Sequence, residues 1–281
     1  AAEEAIWYQA YTKFLDEFKP DIVYYYGGRT LDLLIGDEAH AIGIPVAAYL
    51  ANGNYKGNRW CRDVDLVITN SEATAKLYKE QDNINSTTIG PFVHAETVTA
   101  KSRKPTNVLA INPSFAKGAA IVAAVASKLE RSRPDIPFEV VDSRGSWKAV
   151  FAHVRKNIGY PSSMPNNVVI TPTQTDMREV YKRARIMLIM SLWWESLPRV
   201  AVEAAHNGIP CIATNYGGNA EAISPAGILI NLPNEYHRPP YNRIPDNERL
   251  SRITKEIERF YDNEIHYNNH CGKTKQTARK H

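Results

Sequence analysis

Sulfur is scarce in this chain. Three cysteines, Cys61, Cys211 and Cys271, are spread over 281 residues. An odd, widely spaced set excludes a disulfide framework and suits a reducing compartment. Apolar runs such as IVAAVASKL fall well short of the ~20 residues a membrane-spanning helix needs. No charged start followed by an apolar stretch marks a secretory leader. The chain opens on Ala1 instead of Met, which reads as a processed or truncated product. A full G-x-G-x-x-G is missing, which disfavours a dinucleotide-dependent oxidoreductase. A strong charge of one sign is missing too: 34 Lys and Arg against 30 Asp and Glu leave +4. That mild excess permits attraction to phosphates or an anionic membrane face. It supplies no broad basic stripe, so no nucleic-acid partner is expected.

What is present is a globular composition, 43% hydrophobic and 23% charged, in a length that suits two domains. Residues 4–18 set Trp7, Tyr11, Phe14 and Phe18 at helical spacing before Pro20. DIVYYYGG reads as a strand ending at Gly27-Gly28, TLDLLIGDEAHAIG as a helix, and IPVAAYLA, DLVITN and STTIGPF as strands. Ser71 is placed to cap the helix EATAKLYKEQ. The polar segment 94–106 reads as a linker, after which the alternation restarts with NVLAIN, a long helix, PFEVVDS, NVVITPT, RIMLIMS, PCIATN and GILIN. Alternating strands and helices imply parallel sheets covered on both faces. Residues 247–262 carry Leu250, Ile253, Ile257 and Phe260 on one side of a helix, and 263–281 are polar and basic.

The stretch SLWWESLPRVAVEAAHNGIPCIATNYGGNAE, residues 191–221, holds two glutamates eight apart, Glu195 and Glu203. In a doubly wound sheet ligands sit beyond the carboxyl ends of the strands, where helix N-termini favour anions. Glu195 falls in a loop at that edge, and Glu203 about one turn inside the following helix. A carboxylate at that depth can accept two hydrogen bonds from a vicinal diol such as a ribose. The plain alternative is a solvated pair on a surface helix. Gly217 and Gly218 follow at a strand-to-helix turn, where glycine admits a close backbone approach. Lys117, in INPSFAKGAA, stands where a lysine reaches a diphosphate or merely starts a helix.

Together NPSFAKGA, RPDIPFEVVDSRG, the 191–221 stretch and AGILIN resemble the nucleotide-sugar domain of glycosyltransferase family 4, over roughly residues 107–231. The resemblance implies an α/β GT-B fold of two Rossmann-like, doubly wound parallel-sheet domains. The expected boundaries are 1–98 for a partial N-terminal, acceptor-side domain and 99–262 for the donor domain. A tail, 263–281, is expected to cross back toward the first. The resemblance also implies that Glu195 and Lys117 are catalytic, Glu195 contacting donor-sugar hydroxyls and Lys117 neutralising the diphosphate. Donor-binding roles are implied for Glu203 on the ribose and for Asn112, Arg144, Thr173, Leu197, Arg199, Gly217, Gly218 and Asn219. Family members commonly carry an arginine shortly before the lysine. LAINPSFAK has none, leaving Arg199 and Arg144 as substitutes.

The implied activity is transfer of a sugar from a nucleoside diphosphate sugar to a hydroxyl acceptor, a glycan or lipid-linked glycan. Retention of anomeric configuration is expected, with no metal and no cofactor beyond the donor substrate. The expected location is the cytoplasm, with peripheral contact at the inner face of a membrane. GIPVAAYLANGNY and DVDLVITNSEATAKLY resemble the later part of the GT-B N-terminal domain. Its opening strands and glycine loop are not in the sequence, and Ala51-Asn52 stands where many relatives carry histidine. Donor binding is therefore better supported than turnover, and the rival is a catalytically weak sugar-nucleotide-binding pseudoenzyme or partner subunit.

Weaker signals remain. Asp63-Val-Asp65 mimics the Asp-x-Asp of GT-A enzymes but precedes its strand, so it reads as a strand-entry turn. His266, His270 and Cys271 have zinc-like spacing but no second ligand pair, which favours a solvated terminal helix. Tyr24 to Tyr26 and Trp193-Trp194 suit stacking on a sugar or base, or plain core packing.

Overall fold

The computed structural model describes residues 2–26, 32–162 and 164–278. The Gly27-Gly28 turn lies outside them. The chain divides into two compact units, Ala1–Pro91 and Phe92–His281.

The first unit runs α1 (Ala2–Phe18), β1 (Val23–Tyr25), α2 (Asp32–Ala41), β2 (Val46–Leu50), β3 (Leu66–Thr69), α3 (Glu72–Asp82) and β4 (Thr87–Thr88). Its four strands are parallel and in chain order. Ser71 caps α3 as expected, its Oγ accepting from the Thr74 N–H at 3.1 Å. Asp65 makes the strand-entry turn: its carboxylate accepts from the Val46 N–H at 2.8 Å, and its own N–H donates to the Val46 carbonyl at 2.9 Å. Of the aromatic residues spaced along α1, the last pair faces outward. Phe14 and Phe18 are exposed and stack on each other at 4.9 Å. Leu15 is buried, while the Tyr8 and Tyr11 hydroxyls reach α2 at Glu38 and the Ile35 carbonyl, which fixes the other side of the helix inward.

The second unit continues with α4 (Ala95–Val98), β5 (Asn107–Ile111), α5 (Ala119–Ser132), β6 (Phe138–Val141), α6 (Trp147–Asn157), β7 (Val168–Thr171), α7 (Arg178–Arg183) and β8 (Ala184–Ile189). After these come α8 (Arg199–His206), β9 (Cys211–Thr214), α9 (Asn219–Ile223), β10 (Ile228–Ile230), α10 (Asn247–Asp262) and α11 (Glu264–Ala278). The six-stranded parallel sheet has the order β10-β9-β8-β5-β6-β7. The strand order reverses between β5 and β8, where a doubly wound sheet opens its ligand crevice. Alternate residues feed opposite faces. Val108, Ala110, Ile186 and Leu188 join the core under α5, α6 and α10. Leu109, Met187 and Ile189 join the one under α7, α8 and α9.

Two expectations change here. Residues 92–98, assigned above to the first half, group with the second unit. The reason is Asn207 at the end of α8: its amide donates to the Val98 carbonyl at 2.9 Å and accepts from the Ala100 N–H at 2.8 Å. The polar tail is a helix, α11, packed on α8, α9 and α10. His266 and His270 are half-buried along it. They lie against Phe260 at 4.8 and 5.1 Å, and His270 Nδ1 donates to the Ala226 carbonyl at 2.5 Å. Among the described residues no helix is long and apolar enough to cross a membrane. Nor is any group of three or more His, Cys, Asp or Glu placed to hold a metal ion among them.

Candidate donor-binding site

The 3-10 turn Phe115–Lys117 follows β5, and the 190–198 loop follows β8. They are clasped backbone to backbone: the Leu192 and Trp193 N–H groups both donate to the Ala116 carbonyl at 2.9 Å. Gly118 is required beside this clasp. Its φ is +72°, and a Cβ there would fall 1.9 Å from the Met190 carbonyl oxygen. The clasp brings Lys117 to Glu195, and the two side chains form an ion pair. Ser191 Oγ donates to the same carboxylate oxygen at 2.7 Å. Ser191 is buried, and its carbonyl accepts from Thr214 Oγ1 at 2.6 Å.

A cavity of about 460 Å³ opens at this edge, lined among others by Asn112, Lys117, Arg144, Glu195, Leu197 and Arg199. Asn112 adopts φ +60°, and its side-chain oxygen accepts from the Gly145 N–H at 3.1 Å. It thereby holds the loop that carries the exposed Arg144. Arg199 begins α8, where the unpaired N–H groups of the first turn add to the positive field. Three cations, Lys117, Arg144 and Arg199, thus border one cavity with a single carboxylate among them.

Other expected ligands sit elsewhere. Gly217, Gly218, Asn219, Thr173 and Glu203 are not among the cavity's lining residues. The glycines do admit a close approach, but of protein backbone. A Cβ on Gly217 would lie 2.3 Å from the Glu195 carbonyl oxygen, and one on Gly218 only 1.7 Å from that of Ser196. Asn219 is wholly buried, and its amide donates to the Thr214 carbonyl and hydroxyl, both at 3.0 Å. Thr173 is exposed and donates to the Asp142 carbonyl at 2.9 Å, closing the β6–β7 end.

Glu203 lies one turn behind Arg199 and is 7% exposed. Arg199 Nε donates to its Oε1 at 2.8 Å, and the Tyr181 hydroxyl donates to Oε2. Burial, followed by the Glu203 charge and hydrogen bond, pushes the Tyr181 hydroxyl far above its ordinary pKa. It therefore remains a proton donor. The sequence reading missed both Tyr181 and Ser191. Tyr181 meets its carboxylate only across two helices, whereas Ser191 lies four residues before Glu195 in the same loop, a local contact that its spacing could have suggested.

The profile of the family described as Glycosyl transferases group 1 matches residues 100–280. The chain belongs to this family. Putative glycosyltransferase YtcC of Bacillus subtilis (strain 168) is 32% identical over 85 residues, 28% of this chain and 21% of that protein. The pneumococcal O-GlcNAc transferase GtfA, solved with UDP and GlcNAc, is similar in fold at TM-score 0.73 and 13% identity. The match covers 96% of this chain and 56% of GtfA, so the chain spans about half of that relative. Anabaena Alr3699/HepE, solved with UDP-glucose, matches at TM-score 0.71 and 15% identity, covering 92% and 74% of the two chains. Each unit of this group 1 member is thus a parallel α/β layer of GT-B type, the first the smaller.

Proposed function

We propose that the second unit binds a UDP-sugar and that the protein is a retaining, family 4 type glycosyltransferase. In the reaction the acceptor hydroxyl oxygen bonds to the anomeric carbon, the bond to the diphosphate breaks, and the hydroxyl proton leaves with the UDP. The observation that carries the reading is the Lys117–Glu195 pair on a cavity bordered by Arg144 and Arg199. These cations stabilise charge developing on the leaving diphosphate, a role the proposal assigns to protein groups and not to a metal. Glu195 then exchanges Lys117 for sugar hydroxyls, while Ser191 keeps it oriented. Of the two substitutes for the family's usual arginine, Arg144 is the more direct, because Arg199 must first give up its ion pair with Glu203. Uracil is the base we assign, on the UDP ligands named for GtfA and HepE.

The acceptor class is a glycan or lipid-linked glycan, the latter reached from the cytoplasmic face of a membrane. The net charge of +4 supports that approach. Lys117→Ala tests the reading. Transfer from a UDP-sugar should fall on the order of a hundredfold or more, with weaker UDP binding by calorimetry. Unchanged UDP affinity would overturn it. A second reading, a donor-binding partner subunit of low turnover, is favoured by Ala51-Asn52 in place of histidine. It predicts UDP-sugar binding with neither transfer nor donor hydrolysis.

A further inference from the structure

Two donors meet the Glu203 carboxylate, and they differ in kind. Arg199 has a side chain 68% exposed and borders the cavity, so it can leave Glu203 and turn toward a diphosphate. Tyr181 is wholly buried in the core shared by α7 and α8, alongside Val180, Val202 and Ala204. It has nowhere to go. A carboxylate offers about four lone-pair sites, so two single donors leave room for two more. An O–H donating to a charged oxygen is also among the stronger hydrogen bonds.

We propose that Tyr181 is a positioning residue for donor recognition: its buried hydroxyl fixes the orientation of the Glu203 carboxylate to receive the ribose diol. The inference rests on the reading of Glu203 as the ribose ligand. It adds that the selectivity for a ribose is set from α7, by a side chain that never touches the donor. Arg199 holds Oε1 and yields it when the nucleotide arrives, whereas the bond from Tyr181 to Oε2 persists in both states.

The test compares UDP with 2′-deoxyUDP, by calorimetry, in the protein and in Tyr181→Phe. The unaltered protein should prefer UDP on the order of tenfold, as for one hydrogen bond to a charged group. In Tyr181→Phe the preference should shrink to about twofold, with 2′-deoxyUDP affinity nearly unchanged. A merely structural tyrosine would lower both affinities together and leave the ratio intact, which overturns the proposal. If the unaltered protein shows no preference, the ribose role of Glu203 fails first and takes the proposal with it. A second pair covers a poorly folding Tyr181→Phe. Tyr181→Phe added to Glu203→Gln, where no charge is left unpaired, should not change UDP affinity further. A further loss in that background shows that Tyr181 acts by another route.

Discussion

The Gly218 N–H donates to the carbonyl of Glu195 at 2.6 Å, tying the turn after β9 to the loop that carries the site's carboxylate. The fit is too close for a side chain: an added Cβ would meet the Ser196 carbonyl oxygen at 1.7 Å. Gly218→Ala should therefore cost about 1–3 kcal/mol, as overpacking against fixed backbone does. Because the atoms displaced belong to residues 195 and 196, UDP affinity should fall as well. Parallel thermal melts and calorimetry check this. A variant with normal stability and normal affinity would show that the loop yields freely.

Acid should unfold the second unit through Glu139. This carboxyl lies in β6 at 2% exposure. Burial pushes its pKa up, but hydrogen bonds from Arg183, Thr171 and Asn107, with the Arg183 charge, outweigh that and hold it below its usual value. A depressed carboxylate contributes stability that is fully present above its unfolded pKa, about 4.3, and is lost as pH falls through the folded value. Melting temperature should thus drop steeply below about pH 4, and Glu139→Gln should flatten that slope while lowering stability near neutrality. An unchanged slope would assign the acid transition to other carboxyls.

Helix α11 should be held by one arginine. The Arg185 guanidinium sits 3.9 Å from the Tyr267 ring centroid and 5.3 Å from that of Tyr261. Its Nε donates to the Phe260 carbonyl at 2.9 Å, and it also pairs with Glu264. Such a desolvated cation–aromatic contact is worth about 2 kcal/mol. In Arg185→Met, hydrogen exchange should accelerate across 264–278 while the strands β5 to β9 stay protected. Uniform loss of protection would mean that α11 and the sheet unfold as one unit.

Most strands were legible because they are short apolar runs rich in Val, Ile, Leu and Ala between turn residues, as buried parallel strands are. Helix α10 was legible from its single apolar face. A terminal helix was expected near His266, but the packing of α11 was not legible, since its buried positions include Thr274 and Thr277 and its sequence carries Gly272 mid-helix. The buried face of α1 was not legible, because large aromatics at helical spacing do not say which face meets the sheet. Within the site, the pairing of loop ends put Lys117 beside Glu195 as the motif order suggests. The close approach at Gly217 and Gly218 was readable, but its object was not. A glycine reports that something comes near, and here it is the chain itself. The partner of Glu203 was hidden because Tyr181 stands 22 residues upstream on another helix.

Asn207 ends α8 and hydrogen-bonds the Glu203 carbonyl at 2.8 Å as well as Val98 and Ala100. Arg103 adds bonds to the carbonyls of Asn207 and Gly208 at 2.9 and 3.1 Å. The helix between this knot and the cavity has eight residues, about 12 Å of rod. A strut that short does not bend. The segment 98–103 is therefore anchored to one end of the rod, and Arg199 and Glu203 stand on the rod itself.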